Sequence, residues 1–436
     1  MLESLFFASA VTLANQIRTG AVTAQAVVEA HLARIAQVNP QLNALVQLTA
    51  DTALAEAQAA DAALARGQLN GPLHGVPFTV KDWIETAGVI CAAGYEARRA
   101  FVPAQDATVV ARLRQAGGIF LGKTNVTVSN PVYGRTNNPY NLAYSPSGSS
   151  SGEAAIIAAG GSPLGLGSDS GGSIRTPAFS CGIAGLKPTA GRVPLTGHMP
   201  YISVLNDPRT VIGPMARRVE DLALAFGIIQ GVDWRDASVI PMPLHDWRAV
   251  DLQTLRVAFY TEHADAHPDA DCKAATVDAA LALQAVVASV EEKLPPRIEE
   301  AYAITRDYWR RPESALLEEW QADGAVHLSS EQVEEHLFVW NRFRQTLIRF
   351  MEQYDVIITP VMELPAQPHG QPEGGIAYTL AYSLVGYPAV VVRVGTSANG
   401  LPVGVQVVAR PWREDVALAV AAFLEARFGG WQPPTL

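Results

Sequence analysis

After Thr23, apolar residues recur at Val28, Leu32 and Ile35, the i, i+4 and i+7 spacing of one helix face, with the threonine placed to cap it. A second, alanine-rich helix is predicted from about Asp51 to Arg66, so the first 70 residues read as helical. Gly71-Pro72-Leu73-His74-Gly75-Val76-Pro77 breaks that period, and Phe78-Thr79-Val80 has the β-branched and aromatic content of a short strand, with Lys81 at its end. A helix beginning near Asp106 carries Val109, Val110 and Leu113, stops at Gly117-Gly118 and feeds a buried strand at Ile119-Phe120-Leu121.

From Ser145 to Ser173 the chain holds 9 serines and 8 glycines in 29 residues, yet Ala154 to Ala159, Leu164 and Leu166 interrupt them with apolar positions. That pattern predicts packed loops around a helix and a strand, not a solvated linker. Residues 225 to 355 are more charged, with helical periodicity around Ala275 to Val290 and Val333 to Phe350, and read as a peripheral helical layer. Asp355 to Thr359, Ala389 to Val394 and Gly404 to Ala409 then read as sheet strands. Strands from both ends of the chain predict one α/β domain over residues 1–436 with a single large mixed sheet: N-terminal helices over 1–70, a core over 71–224, the helical layer over 225–355, and C-terminal strands and helix over 356–436.

Composition narrows the function. Hydrophobic residues make up 49% and charged residues 17%, which excludes a disordered scaffold. A net charge of -10 denies nucleic acid or an anionic membrane the positive field it needs, so neither is expected as a partner. Cys91, Cys181 and Cys272 have neither the number nor the spacing of a disulfide framework or a zinc site and read as small buried hydrophobes. The apolar patch at Leu5 to Ala8 follows Glu3 with no basic residue ahead of it, and no run is long enough to span a bilayer. A cytoplasmic monomer or homodimer acting on a small molecule is the expectation.

Three motifs compete. Gly117 to Thr124 satisfies GxxxxGK[ST], the phosphate loop of nucleotide-binding proteins, but a helix precedes it and an apolar triplet lies inside it, the reverse of the strand-loop-helix context that motif needs. Gly148-Ser149-Ser150-Ser151-Gly152 fits the GxSxG nucleophile elbow, but Asn137 to Pro146 is turn-rich where a central strand belongs. The third needs no histidine: Lys81, the loop Ser147 to Glu153, and the loop Gly167 to Arg175, in which Ser173 follows two glycines and opens a predicted helix, Ile174 to Cys181. Amides at that helix start are expected to point with the Ser173 hydroxyl into one concavity, where they would stabilise a developing oxyanion.

The run Ser145 to Gly191, SPSGSSSGEAAIIAAGGSPLGLGSDSGGSIRTPAFSCGIAGLKPTAG, resembles the amidase signature family, most closely the branch containing fatty acid amide hydrolase. Gly75 to Asp82, Gly122 to Asn125, Gly213 to Ala216 and Leu401 to Gln406 resemble further family segments, so the likeness spans nearly the whole chain. It implies a central mixed sheet with helices on both faces and an amide C–N hydrolase. Ser173 is then the nucleophile, Ser149 a bridging serine after a cis peptide at Gly148, and Lys81 the base. The amides of Ser170, Gly171, Gly172 and Ser173 would form the oxyanion hole; Asp169 and Arg175 would hold the loops, and Ser150 would support the lysine. No metal or organic cofactor is implied.

A lysine is a base only when neutral, so Lys81 must be buried, among hydroxyls, and turned by strand alternation away from Asp82. Carbamate and ester cleavage share this chemistry and stay open, as do a catalytically inactive binding or assembly protein and, from the first motif, a nucleotide-binding protein. No charged clamp for free glutamine or a ureido-carboxylate is evident, which favours neutral or aryl amides over the substrates of amidotransferase glutaminase subunits and allophanate hydrolases. Ser147 and Ser151 stand where many members carry glycine; a serine at positive φ there would cost about 1 kcal/mol. The stretch from Asn125 to Gly134 is shorter than expected and suggests an open cleft. Trp83, Tyr133, Tyr140, Tyr144, Trp309, Trp320 and Trp340 are candidates for pocket or core.

Overall fold

The computed structural model describes residues 5–201, 208–264, 266–309 and 328–436, with the side chains of 307–309 excepted. Among the described residues, eleven strands form one mixed sheet. In chain order its members are β1 (Leu45–Leu48), β2 (Pro77–Lys81), β3 (Ile119–Thr124), β6 (Leu164–Asp169), β7 (Ala184–Lys187), β8 (Val211–Ala216), β9 (Arg256–Phe259), β10 (Ser289–Glu292), β11 (Val356–Pro360), β12 (Ala389–Thr396) and β13 (Pro402–Ala409). Across the sheet they run β1-β3-β2-β6-β8-β7-β12-β13-β11-β9-β10, and β4 (Ser129–Asn130) and β5 (Gly134–Arg135) form a separate hairpin.

Every residue of β2, β3, β6, β8, β11 and β13 is buried, which requires cover on both faces. Helices supply it, and the two apolar clusters they make with the sheet constitute the core. Phe78 and Phe120, on neighbouring parallel strands, pack as a tilted pair with ring centroids 5.8 Å apart. The first helix predicted from periodicity spans Ala24–Leu42; the Thr23 hydroxyl accepts from the Ala26 amide at 3.0 Å and Asp61, on the next helix, accepts from Ala24 and Gln25. All three cysteines are buried and unpaired.

Three expectations need correction. The N-terminal 70 residues also carry β1, whose antiparallel pairing with β3 places it at one sheet edge. Residues 225–355 are mainly helical but add β9 and β10, parallel to β11, at the other edge. The helix expected to reach Val290 spans Ala270–Leu283, and Val290 lies in β10. Edge strands keep exposed positions, as at Leu48 in β1 and Glu291 and Glu292 in β10, and these four-residue segments lack the long buried run that marks a central strand.

The arrangement that positions the site is central. β2 and β6 are adjacent and parallel, with Thr79 opposite Gly165 and Val80 opposite Leu166. Their C-terminal ends, Lys81 and Asp169, therefore lie at one rim of the sheet, where binding crevices of α/β sheets form.

Candidate active site

Lys81 is fully buried. Its Nζ donates to Ser149 Oγ at 2.6 Å, to Ser150 Oγ at 3.1 Å and to the Ser168 carbonyl at 3.4 Å. Burial drives its pKa well below the ordinary lysine value, against the opposing pull of the Asp169 and Glu153 carboxylates. The neighbouring Asp82 points elsewhere, accepting from the Ala93 amide at 2.7 Å and the Tyr133 hydroxyl at 3.0 Å. Strand alternation thus separates this amine from the adjacent carboxylate.

The first serine loop leads into the helix Ser151–Ala158, and the Gly148–Ser149 peptide is cis. The second lies between β6 and the helix Arg175–Ser180. They are stitched together: the Ser150 amide donates to the Ser173 carbonyl at 3.2 Å, and Thr176 Oγ1 donates to the carbonyls of Gly148 and Gly172, each at 3.1 Å. Ser173 is half-buried at this junction, and its hydroxyl makes no hydrogen bond to another described residue. The Lys81–Ser149 link is closed; the Ser149–Ser173 link is not a hydrogen bond in this state.

Of the four amides expected to point free into the crevice, that of Gly172 is engaged, which corrects the expectation at this one position. Asp169, at the end of β6, folds forward to cap the helix start, accepting from Gly172 N at 2.8 Å, Ile174 N at 3.1 Å and Arg175 N at 3.4 Å. Gly172 therefore leaves the set of oxyanion donors, and the amides of Ser170, Gly171 and Ser173 have no intramolecular acceptor among the described residues. Gly172 has φ of +145°, and a Cβ there would stand 2.7 Å from Thr379 Oγ1, so a side chain is excluded twice over. Thr379 Oγ1 donates to the Gly171 carbonyl at 2.5 Å, holding that peptide with its carbonyl turned inward.

Arg175 locks the cap. Its guanidinium reaches Asp169 twice, the Thr379 carbonyl at 2.9 Å, Gln406 Oε1 at 3.2 Å and Ser383 Oγ at 2.7 Å, all buried. The Ser170 hydroxyl is 2.6 Å from Thr210 Oγ1, and Thr210 lines a cavity of about 410 Å³ with Leu195, Ile240, Leu384, Tyr387 and Trp412. Arg344 is the one charged side chain among its described lining residues.

Sequence reasoning left three contributors without a role. Trp83 presents its ring 4.2 Å from Lys81 Nζ and anchors its indole N–H on the Ala93 carbonyl. Glu153, fully buried, accepts from the hydroxyls of Thr79 and Thr124, occupying space left by the missing side chain of Gly165, and burial raises its pKa to about 7. A glutamate inside an otherwise apolar helix was the available signal. Glu373, the third, binds hydroxyls of the first serine loop. Among the other aromatics, Trp340 packs in the core with its N–H on the Leu384 carbonyl and Tyr140 bonds the Gln432 carbonyl, whereas Trp320 and the Trp309 side chain lie outside the described residues.

The false phosphate loop is resolved by secondary structure: Lys123 lies inside β3, fully buried, with its ammonium on the Ile84 carbonyl.

A family description, Amidase, matches residues 26–335 and 304–418. The chain is 35% identical over 460 residues to a glutamyl-tRNA(Gln) amidotransferase subunit from Chloroflexus aggregans (strain MD-66 / DSM 9485), covering 93% of each. Among solved structures it is similar to 6-aminohexanoate cyclic dimer hydrolase complexed with substrate (TM-score 0.86, 27% identity, 99% of each chain). It is likewise similar to the peptide amidase PAM in complex with the competitive inhibitor chymostatin (TM-score 0.85, 27% identity, 99% of each chain). With that match over most of its length, and with the two serine loops and lysine converging on one rim of the sheet, the chain belongs to the amidase family.

Proposed function

We propose that this amidase-family protein hydrolyses a carboxylic amide through an acyl-enzyme on Ser173, with Ser149 as proton shuttle and Lys81 as base. The observation that carries the reading is a fully buried lysine amine 2.6 Å from Ser149 Oγ, in a loop stitched to the one bearing Ser173. Neutral Lys81 takes the Ser149 proton as Ser149 takes that of Ser173, and Ser173 Oγ bonds to the substrate carbonyl carbon. The oxyanion receives the amides of Gly171, Ser173 and Ser170. The proton then returns from Lys81 through Ser149 to the leaving nitrogen, the C–N bond breaks, and water resolves the acyl-enzyme by the same relay. The Ser149–Ser173 hydrogen bond must form as substrate docks, as catalytic contacts commonly do.

The cavity beside Ser170, apolar in the main and carrying one cationic side chain, suits a neutral or aryl amide. Carbamates and esters expose the same carbonyl and belong to the same reading; a zwitterionic amino acid would need groups of both signs. The 35% identity to an amidotransferase component favours a second reading, release of ammonia from a carboxamide for a partner protein. Ser173→Ala should abolish both turnover of aryl amides and labelling by a fluorophosphonate, and Lys81→Ala should remove activity at neutral pH. Unimpaired turnover in either variant ends the proposal. Ammonia release from free glutamine, with aryl amides, carbamates and esters inert, selects the second reading.

A further inference from the structure

Within the first serine loop, Ser147 alone lies at positive φ, +61°, a conformation that an L-residue holds only when its surroundings impose it. A group bonded to it comes from more than two hundred residues away. Glu373 accepts from Ser145 Oγ at 2.6 Å on one carboxylate oxygen and from Ser147 Oγ at 3.0 Å on the other, while the Ser147 amide donates to Ser145 Oγ at 3.0 Å. One carboxylate thereby ties down two hydroxyls just ahead of Ser149. The glutamate lies at the solvent-exposed side of the loop and makes no ion pair among the described residues, so its contacts with the loop are these two hydroxyl bonds.

The backbone around Glu373 is bound to the same loop and to its partner. The Ser145 amide donates to the Gln367 carbonyl at 2.8 Å and the His369 amide to the Ala143 carbonyl at 3.0 Å. Six residues beyond Glu373, Thr379 holds the Gly171 carbonyl and accepts from Arg175 on its own carbonyl. A single stretch, Gln367 to Thr379, is therefore hydrogen-bonded to both serine loops, and Glu373 is its one charged contact with the loop of Ser149.

We propose that Glu373 is a positioning residue for the reaction: its carboxylate holds Ser147 in the left-handed conformation and so sets where Ser149 Oγ stands between Lys81 and Ser173. This rests on the reading of Ser149 as shuttle and Ser173 as nucleophile. The carboxylate acts through the loop and touches no reacting atom. Charge-assisted hydrogen bonds are the strong class, and two of them converge on a segment whose backbone would otherwise relax to negative φ. Glycine at 147 accepts that conformation without help, so the need for Glu373 should fall when Ser147 is replaced.

The test uses the full chain as wild type, Glu373→Ala, Glu373→Gln, Ser147→Gly and Glu373→Ala/Ser147→Gly, with Ser173→Ala as control. Readouts are kcat and KM on an aryl amide, the second-order rate of fluorophosphonate labelling, and thermal unfolding. Glu373→Ala should lower kcat and the labelling rate together by about tenfold to a hundredfold, the scale of one or two charge-assisted bonds, with KM little changed. Glu373→Gln, which keeps one acceptor, should fall between Ala and wild type at an unchanged unfolding midpoint, so that a poorly folded alanine variant does not decide the matter. The double variant should be more active than Glu373→Ala alone. Wild-type kcat in Glu373→Ala and Glu373→Gln, or a double variant whose loss is the product of the single losses, overturns the latch. If those results stand beside an inert Ser173→Ala, the latch alone is wrong; turnover surviving in Ser173→Ala removes the parent reading and the latch's role with it.

Discussion

Arg175 and Asp169, both fully buried, meet as a two-pronged pair, Nε to Oδ2 and Nη2 to Oδ1, each at 3.0 Å. Burial pushes the aspartate's pKa up, but the guanidinium charge and its hydrogen bonds outweigh that and hold it below the ordinary carboxylate value. Because the same carboxylate caps the amides of Gly172, Ile174 and Arg175, the pair sets the shape of the second serine loop. Arg175→Met leaves a buried anion without its cation, and unfolding in urea should show a loss of about 3–5 kcal/mol. A depressed carboxylate pKa stabilises the fold above the ordinary carboxylate range and loses that contribution as pH falls through the folded value. The gap between wild type and Asp169→Asn should accordingly be full at neutral pH and close in acid; a gap constant with pH contradicts the pairing.

Glu153 should tune Lys81, the proposed base. Its pKa, raised by burial to about 7, means that it ionises as pH passes neutrality, and its charge then favours the ammonium form of Lys81. Lys123 and Asp169 also act on these two groups and remain in the variant. Glu153→Gln removes the added anion, so the rising limb of kcat/KM against pH should move to lower pH. Stability carries a matching sign. A carboxyl whose folded pKa is raised favours the fold most at low pH and loses that advantage as pH climbs to about 7, a loss the glutamine variant escapes. An unmoved limb in a folded Glu153→Gln protein speaks against the coupling.

Trp83 faces the lysine amine at 4.2 Å, where its ring favours the cation formed when Lys81 accepts a proton. A desolvated contact of this kind contributes about 0.5–2 kcal/mol, so Trp83→Leu should reduce kcat by roughly twofold to thirtyfold, and Trp83→Phe by less. Equal activities in the two variants would reduce the ring to packing.

Lys123 offers a check on the phosphate-loop motif. Its side chain is buried within β3 and bonded to the Ile84 carbonyl. Millimolar ATP should leave the thermal midpoint where it is, whereas Lys123→Met, which orphans a buried carbonyl, should lower stability by about 1–3 kcal/mol. A midpoint that climbs with ATP concentration reopens nucleotide binding.

The central strands were legible because burial on both faces writes itself as unbroken apolar runs, as in Val356 to Ile358 and Ala389 to Val392. Ser289–Glu292 writes nothing of the kind: its two glutamates are exposed at the sheet's margin, and it pairs only because β9 offers a free edge. The lysine and the two serine loops were legible through residue type and resemblance. The capping of Gly172 by Asp169 was not, since an aspartate three residues before a glycine has many uses and only the loop's path decides. Nor was Glu373 legible, whose partners lie 226 and 228 residues away and share no period with it. Its nearest trace was Ser147, a serine where the family resemblance leads one to expect glycine, which asks for a partner without naming one.

The strand order has an evolutionary corollary. Lys81 and Asp169 end adjacent interior strands, whereas β9 and β10 sit at the outermost margin, so chain gained or lost between 225 and 355 remodels a flank and leaves the proposed relay between Lys81 and Ser173 untouched. Such a partition lets one reacting centre be inherited unchanged while its surroundings drift, and exchanging that flank between relatives is the direct route to retargeting the scaffold.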